Sequence, residues 1–215
     1  MSDLKKFKED TFRAAQNPAC WLLSAERLRD GAEAILVQEQ AFEIEYLRAH
    51  EAATKEAMAI AYSEGNEAGI ADIEARVPNY PAAQLLYGYA LENLLKGIRV
   101  ARDPSLITSG KLNGKLKSHD LVELAKAASF TLHTQEIPVA AALSKLSTWA
   151  GRYPVALFEA EFASTPNADE LLDYGSRHPI VKAMYSRGHA ELTALLPKPV
   201  SNRNGAVVVF RQPGT

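Results

Sequence analysis

The chain is short of most features that would name a chemistry. One cysteine, Cys20, occurs in 215 residues. A lone thiol closes no internal disulfide, so the fold must rest on a packed core. Beside Trp21 in an apolar stretch, Cys20 reads as a small buried hydrophobe rather than a nucleophile. Neither sign of charge dominates: 24 basic residues face 26 acidic ones, a formal net charge of -2. Global attraction to nucleic acid is therefore absent, although a local basic patch is not excluded. No run approaches the ~20 apolar residues of a membrane span. The opening MSDLKKFKED is charged and lacks an apolar core, so a cytoplasmic protein with no membrane contact is expected. Strand-forming runs are nearly missing. AVVVF at 206–210 is the exception, and beside Pro-Lys-Pro and Asn204-Gly205 it suits a tail or docking segment. GKLNGKLK has the wrong spacing for a phosphate-binding Gly-x-x-x-x-Gly-Lys-Ser/Thr loop and follows no strand. The five histidines make no metal site, and no cofactor is expected.

What is present is helical periodicity. The hydrophobic share of 47% and charged share of 23% suit a globular chain with a real core. Trp21, Ala25, Leu28, Ala32, Ile35 and Phe42 fall on one stripe of a first helix. Asn17 and Pro18 supply its cap and first-turn proline, and it is expected over 18–50 or beyond, since nothing stops it before Gly65. A second helix opens at Pro81 and ends near Ala101, before Asp103-Pro104. A third begins at Ser118 as N-cap, with Asp120 at the positive end of the helix dipole. A fourth carries Val139, Leu143, Leu146 and Ala150 and stops at Gly151. Thr165-Pro166 starts a fifth, and Pro179 divides it from a last helix ending near Leu196. The expectation is an all-α, antiparallel up-and-down bundle of four to six helices. It spans 18–196, between a charged segment at 1–17 and a tail at 197–215.

The second helix, within LLYGYALENLLKGI at 85–98, is the most informative. Tyr89, Glu92, Lys96 and Arg99 form a single polar row, while Leu91, Leu94, Leu95 and Ile98 fill much of the remaining circumference. Glu92 and Lys96 stand four apart in the better order for a helical ion pair. The row reads either as a wet edge or hydrogen-bonding seam to the next helix, or as a polar groove with a ligand. Tyr87, Tyr89, Trp149 and Tyr153 suit core and interface positions better than a base-stacking platform.

LLYGYALENLLKGI, then SHDLVELAKAA after a variable loop, then LSTWAGRYP, together resemble the HEPN family of small bacterial and archaeal helical domains. The likeness covers roughly 80–154. It implies a four- or five-helix bundle, frequent dimerisation, and settings such as toxins, defence proteins and partners of nucleotidyltransferases. Active members are metal-independent RNases with an arginine and a histidine four to six residues apart. Arg152 stands near the expected arginine, but Leu157, Phe158 and Glu159 occupy the positions that should supply the histidine. One of two catalytic roles is thus missing, unless His119 replaces it across the bundle.

Three readings follow. One is a non-catalytic helical module that binds a protein partner, a nucleotidyltransferase for example, or RNA, and that forms a homodimer through apolar excess around Tyr87, Leu91 and WAGRYP. Another is an RNase with a displaced Arg152/His119 site. The last is a nucleotide-binding module using the basic loop, where Lys96, Arg99, Arg102, Lys111, Lys115 and Lys117 face the single acid Asp103. The binding candidates are Glu92, Lys96, Arg99, Lys111, Lys115, Lys117, His119, Asp120 and Arg152.

Overall fold

The computed structural model describes residues 17–66, 69–108, 111–150 and 174–196. Its elements are an all-α bundle with one minimal hairpin. Helix α1 runs Pro18–Glu64, 47 residues, or about 70 Å at the standard rise. Asn17 Oδ1 accepts from Ala19 N at 3.0 Å, and Gly65 ends the helix at φ 65°, a left-handed cap that glycine reaches without a Cβ penalty. The start agrees with the sequence expectation, and the helix runs on past His50 as far as the stop at Gly65.

Helix α2, Tyr80–Arg102, packs against the first half of α1. The Cα of Gly97 faces Trp21, and that of Gly31 faces Leu86. Glu39 near mid-α1 accepts from Asn79 N at 2.9 Å, just before α2 begins. These three contacts fix an antiparallel pair. They also show that the 23 residues of α2 match only the inner half of α1. Beyond it the outer half, from about Val37, meets residues 69–79 returning along one side. Ala53 and Ala61 are buried there and Gly69 abuts Ala57 and Ala61. Arg76 ties the returning chain down, donating to Glu39 Oε1 at 2.6 Å and lying over the Phe42 ring.

Three more helices surround α2: α3 Leu121–Ala127, α4 Glu136–Lys145 and α5 Tyr174–Leu195, with a π-type turn at Leu146–Ala150 extending α4. Leu91, Leu94, Leu143, Leu146, Val181, Met184 and Leu192 form the centre of the core. Because α2 is surrounded, its apolar residues spread around most of its circumference.

Several expectations are corrected. Asp120, not Ser118, caps α3: its Oδ1 accepts from Val122 N at 2.9 Å and Glu123 N at 3.1 Å. Ser118 Oγ instead accepts from Asp120 N at 3.1 Å, setting the preceding turn. Pro179 divides nothing, since it lies inside α5. It sits near the helix start, where it forfeits one bond to the Gly175 carbonyl, and burial of Val181, Met184 and Leu192 offsets that loss. Cys20 is exposed, because Trp21, Leu22 and Ala25 take the inward positions of the first turns. The fifth-helix start at Thr165-Pro166, the tail AVVVF and the residues Arg152 and Tyr153 lie outside the described residues.

The basic loop is also more ordered than its composition suggests. Pro104–Leu106 and Gly114–Leu116 are 3-10 turns, and strands β1 (Ile107–Thr108) and β2 (Lys111–Leu112) pair antiparallel between them. Val100, Leu106, Ile107 and Leu116 make a small second core, with Trp21 and Leu112 packed against it. Among the described residues, no helix is long and apolar enough to cross a membrane.

Candidate functional site

The polar row of α2 is a seam. Glu92 and Lys96 are both buried. Lys96 Nζ donates to Glu92 Oε1 at 2.6 Å, and His119 Nδ1 lies 2.9 Å from Glu92 Oε2. A carboxylate can only accept, so the neutral imidazole carries its proton on Nδ1 and keeps Nε2 as its lone-pair nitrogen. Tyr89 donates from its hydroxyl to the Ser147 carbonyl at 3.4 Å, and Arg99 Nη1 donates to the Lys115 carbonyl at 2.6 Å. The row therefore joins α2 to the π turn after α4, to the segment before α3 and to the basic hairpin.

This arrangement sorts the sequence candidates. Glu92, Lys96 and His119 converge. Arg99 holds the backbone of the hairpin through Lys115, while the side chains of Lys111, Lys115 and Lys117 are exposed. Asp120 is committed to capping α3, so its carboxylate is a structural group. Arg152 lies outside the described residues. A buried carboxylate that orients an exposed histidine resembles the base-orienting half of a catalytic dyad. Among the described residues, however, no group of three or more His, Cys, Asp or Glu could hold a metal ion. The crevice lined by Leu91, Leu94, Leu121, Phe130 and Met184 offers no polar atom to orient a substrate.

A second seam, which the sequence did not disclose, joins α1 to α5. Glu33 accepts from the hydroxyl of the buried Tyr87 and lies 3.1 Å from His178 Nε2, with Lys182 Nζ at 3.8 Å. Burial works to raise the Glu33 carboxyl, but the bonds from Tyr87 and His178 and the charges of His178 and Lys182 outweigh it, and the net shift is downward. His189 Nε2 meets Glu26 Oε1 at 2.8 Å. Between these pairs lies Tyr185, whose phenol is pushed up to about 12, mainly by burial. The sequence signal was the eleven-residue spacing of His178 and His189, which reads as one face only once Pro179 is known to sit inside a continuous helix.

The third feature is an apolar surface. Tyr87 and Leu91, expected to contribute to a dimer face, are buried inside the chain. The longest row of exposed apolar side chains instead lies on α1, where Val37, Ile44, Leu47, Met58 and Tyr62 are between 57% and 91% exposed, while Ile70 and Val77 stand out on the returning chain. At about 100° per residue the α1 residues fall within an arc of about 80°, whose midline stands about 120° around the helix from that of Ala53 and Ala61. Glu51 and Lys55 share this arc, with Lys55 Nζ 2.6 Å from Glu51 Oε1.

No protein-family model matches the chain, and no curated protein or solved structure is significantly similar to it. The geometry has to carry the functional reading.

Proposed function

We propose that the chain is a non-catalytic, HEPN-like helical module that acts by binding a protein partner through the outer half of α1. The carrying observation is the exposed stripe Val37, Ile44, Leu47, Met58 and Tyr62 on a helix that outruns its own bundle. A helix needs no such length to complete a core that α2 already fills. A long apolar row left in water costs solubility unless something covers it. The HEPN-like reading is supported by the Glu92–His119 contact, which links two of the three sequence segments that carry the resemblance.

The test places a photo-crosslinking residue at Leu47 or Met58 in cells producing the chain, with the exposed Lys126 of α3 as the control position. The expected result is a protein adduct from the stripe positions and none from Lys126. No adduct, or equal adducts at all three positions, overturns the reading.

A second reading, RNA held at the basic hairpin, is favoured by one observation: the hairpin has its own small core, which holds Lys111, Lys115 and Lys117 on an ordered platform. Affinity for mixed RNA that falls steeply with salt and drops when these three lysines become glutamine would support it.

A further inference from the structure

We infer that the occupant of the α1 stripe is a second copy of this chain, packed antiparallel through a two-fold axis near residues 52 and 53. This rests on the reading of the stripe as a protein-binding surface and names the partner.

The stripe is self-complementary in one orientation only. A helix laid antiparallel on its own copy, with the axis at that point, pairs positions whose numbers sum to about 105. Leu47 then faces Met58 of the second copy, Met58 faces its Leu47, and Ile44 falls opposite its Tyr62. At the centre Glu51 meets the second copy's Lys55, and Lys55 meets its Glu51. The two intrahelical pairs, each 2.6 Å long, thereby stack head to tail into a ring of alternating charge. In a parallel, in-register pair, Glu51 would face Glu51 and Lys55 would face Lys55, which like-charge repulsion opposes. Every large apolar residue from Ile44 onward finds an apolar mate in the antiparallel register. A two-fold interface of this kind uses one patch twice and closes on itself, which leaves no unpaired stripe to propagate a filament. The mutual contact from Ile44 to Tyr62 extends about 27 Å at the helical rise, long enough for side chains to interlock over several turns. The returning chain at 69–79 packs on the side of α1 that carries Ala53 and Ala61, about 120° around the helix from the stripe's midline, which leaves the stripe open to a second helix.

The experiment uses the full chain at micromolar concentration and reads mass by light scattering. The unaltered protein is expected at twice 23.5 kDa. Glu51→Lys alone and Lys55→Glu alone each place like charges across the axis and should raise the dissociation constant by about tenfold or more. An equimolar mixture of the two variants should recover the dimer, since one chain is then all positive at the centre and the other all negative. Both sites are exposed, and circular dichroism checks that the helix persists. In a Cys20→Ser background, Leu47→Cys mixed with Met58→Cys should form a disulfide between chains, and Leu47→Cys alone should not. A monomer at every concentration overturns the inference, whether the chain's own tail or another protein covers the stripe. A dimer indifferent to both charge changes, or cross-linked through Leu47→Cys alone, overturns it as well. If the chain is monomeric yet stripe positions still cross-link to a different protein in cells, the second-copy inference falls and the protein-binding reading stands. If neither occurs, both fall.

Discussion

Gly97 of α2 lies directly against Trp21 of α1: a Cβ added to it would stand 2.9 Å from the Trp21 Cβ and 2.7 Å from Leu192 Cδ2. The first and last helices thus close on α2 at a point where only hydrogen fits. On an open helix, glycine to alanine gains about 0.8–1 kcal/mol. Here the added methyl should overpack the junction, a class of change that costs about 1–3 kcal/mol, so Gly97→Ala is expected to lower the urea midpoint. Gly114→Ala, with nothing within 4 Å of the new atom, should leave the midpoint nearly unchanged.

The Glu92–Lys96 pair allows a sharper test of the seam. Both side chains are largely withdrawn from water, at 10% and 8% exposure, so removing one leaves the other without its main partner. Lys96→Met should cost about 1–3 kcal/mol. The double change Glu92→Leu with Lys96→Met should cost less than Lys96→Met alone, because it removes the stranded carboxylate. Chemical denaturation of the single and double variants checks the order.

Acid should loosen the α1–α5 seam. The Glu33 carboxyl is held below its ordinary value of 4.5 by Tyr87, His178 and Lys182. Its folded-state value is therefore lower than its unfolded one. The resulting stabilisation is present above about 4.5 and is lost as pH falls through the lowered folded value. Glu33→Gln removes this dependence, so the variant should lose less stability than the unaltered chain between pH values just above and well below 4.5. Paired urea melts at the two pH values measure the difference, in which the contribution of Glu26 and His189 cancels.

Purified protein is expected not to cleave RNA. Without a general base in place the 2′-hydroxyl is a poor nucleophile, and acid–base catalysis typically contributes ~100- to 10,000-fold. A gel assay with mixed RNA, run beside Arg152→Ala and His119→Ala, checks this. Turnover abolished by both substitutions would establish a displaced active site built from those two residues, with Glu92 orienting the imidazole.

Much of the scaffold was legible before any coordinates. Asn17-Pro18 and Gly65 mark the ends of α1 because capping and left-handed geometry are local properties. Leu94, Leu143 and Leu146 announce the core through spacing alone. The polar row on α2 was legible as a row, and one of its two readings, a hydrogen-bonding seam to the next helix, matches the burial of Glu92 and Lys96 and the bond to His119. Asp120 was visible near a helix start, but which of two nearby residues caps it depends on a turn that Ser118 itself shapes.

By itself the sequence determined which of the described segments are helical, where α1 starts and which helix faces are apolar, since those follow from short-range sterics, capping and periodicity. Tertiary structure alone decided which apolar face is covered. Tyr87 and Leu91 looked available for a partner and are buried, whereas Ile44, Leu47 and Met58 looked like ordinary helix residues and stand in water. The reason is length: α2 spans only the inner half of α1, and no local rule states how far a neighbouring helix will reach. The pairing of Glu26 with His189 and Glu33 with His178 likewise joins residues far apart in the chain, and it exists only because α5 continues through Pro179 and packs against α1.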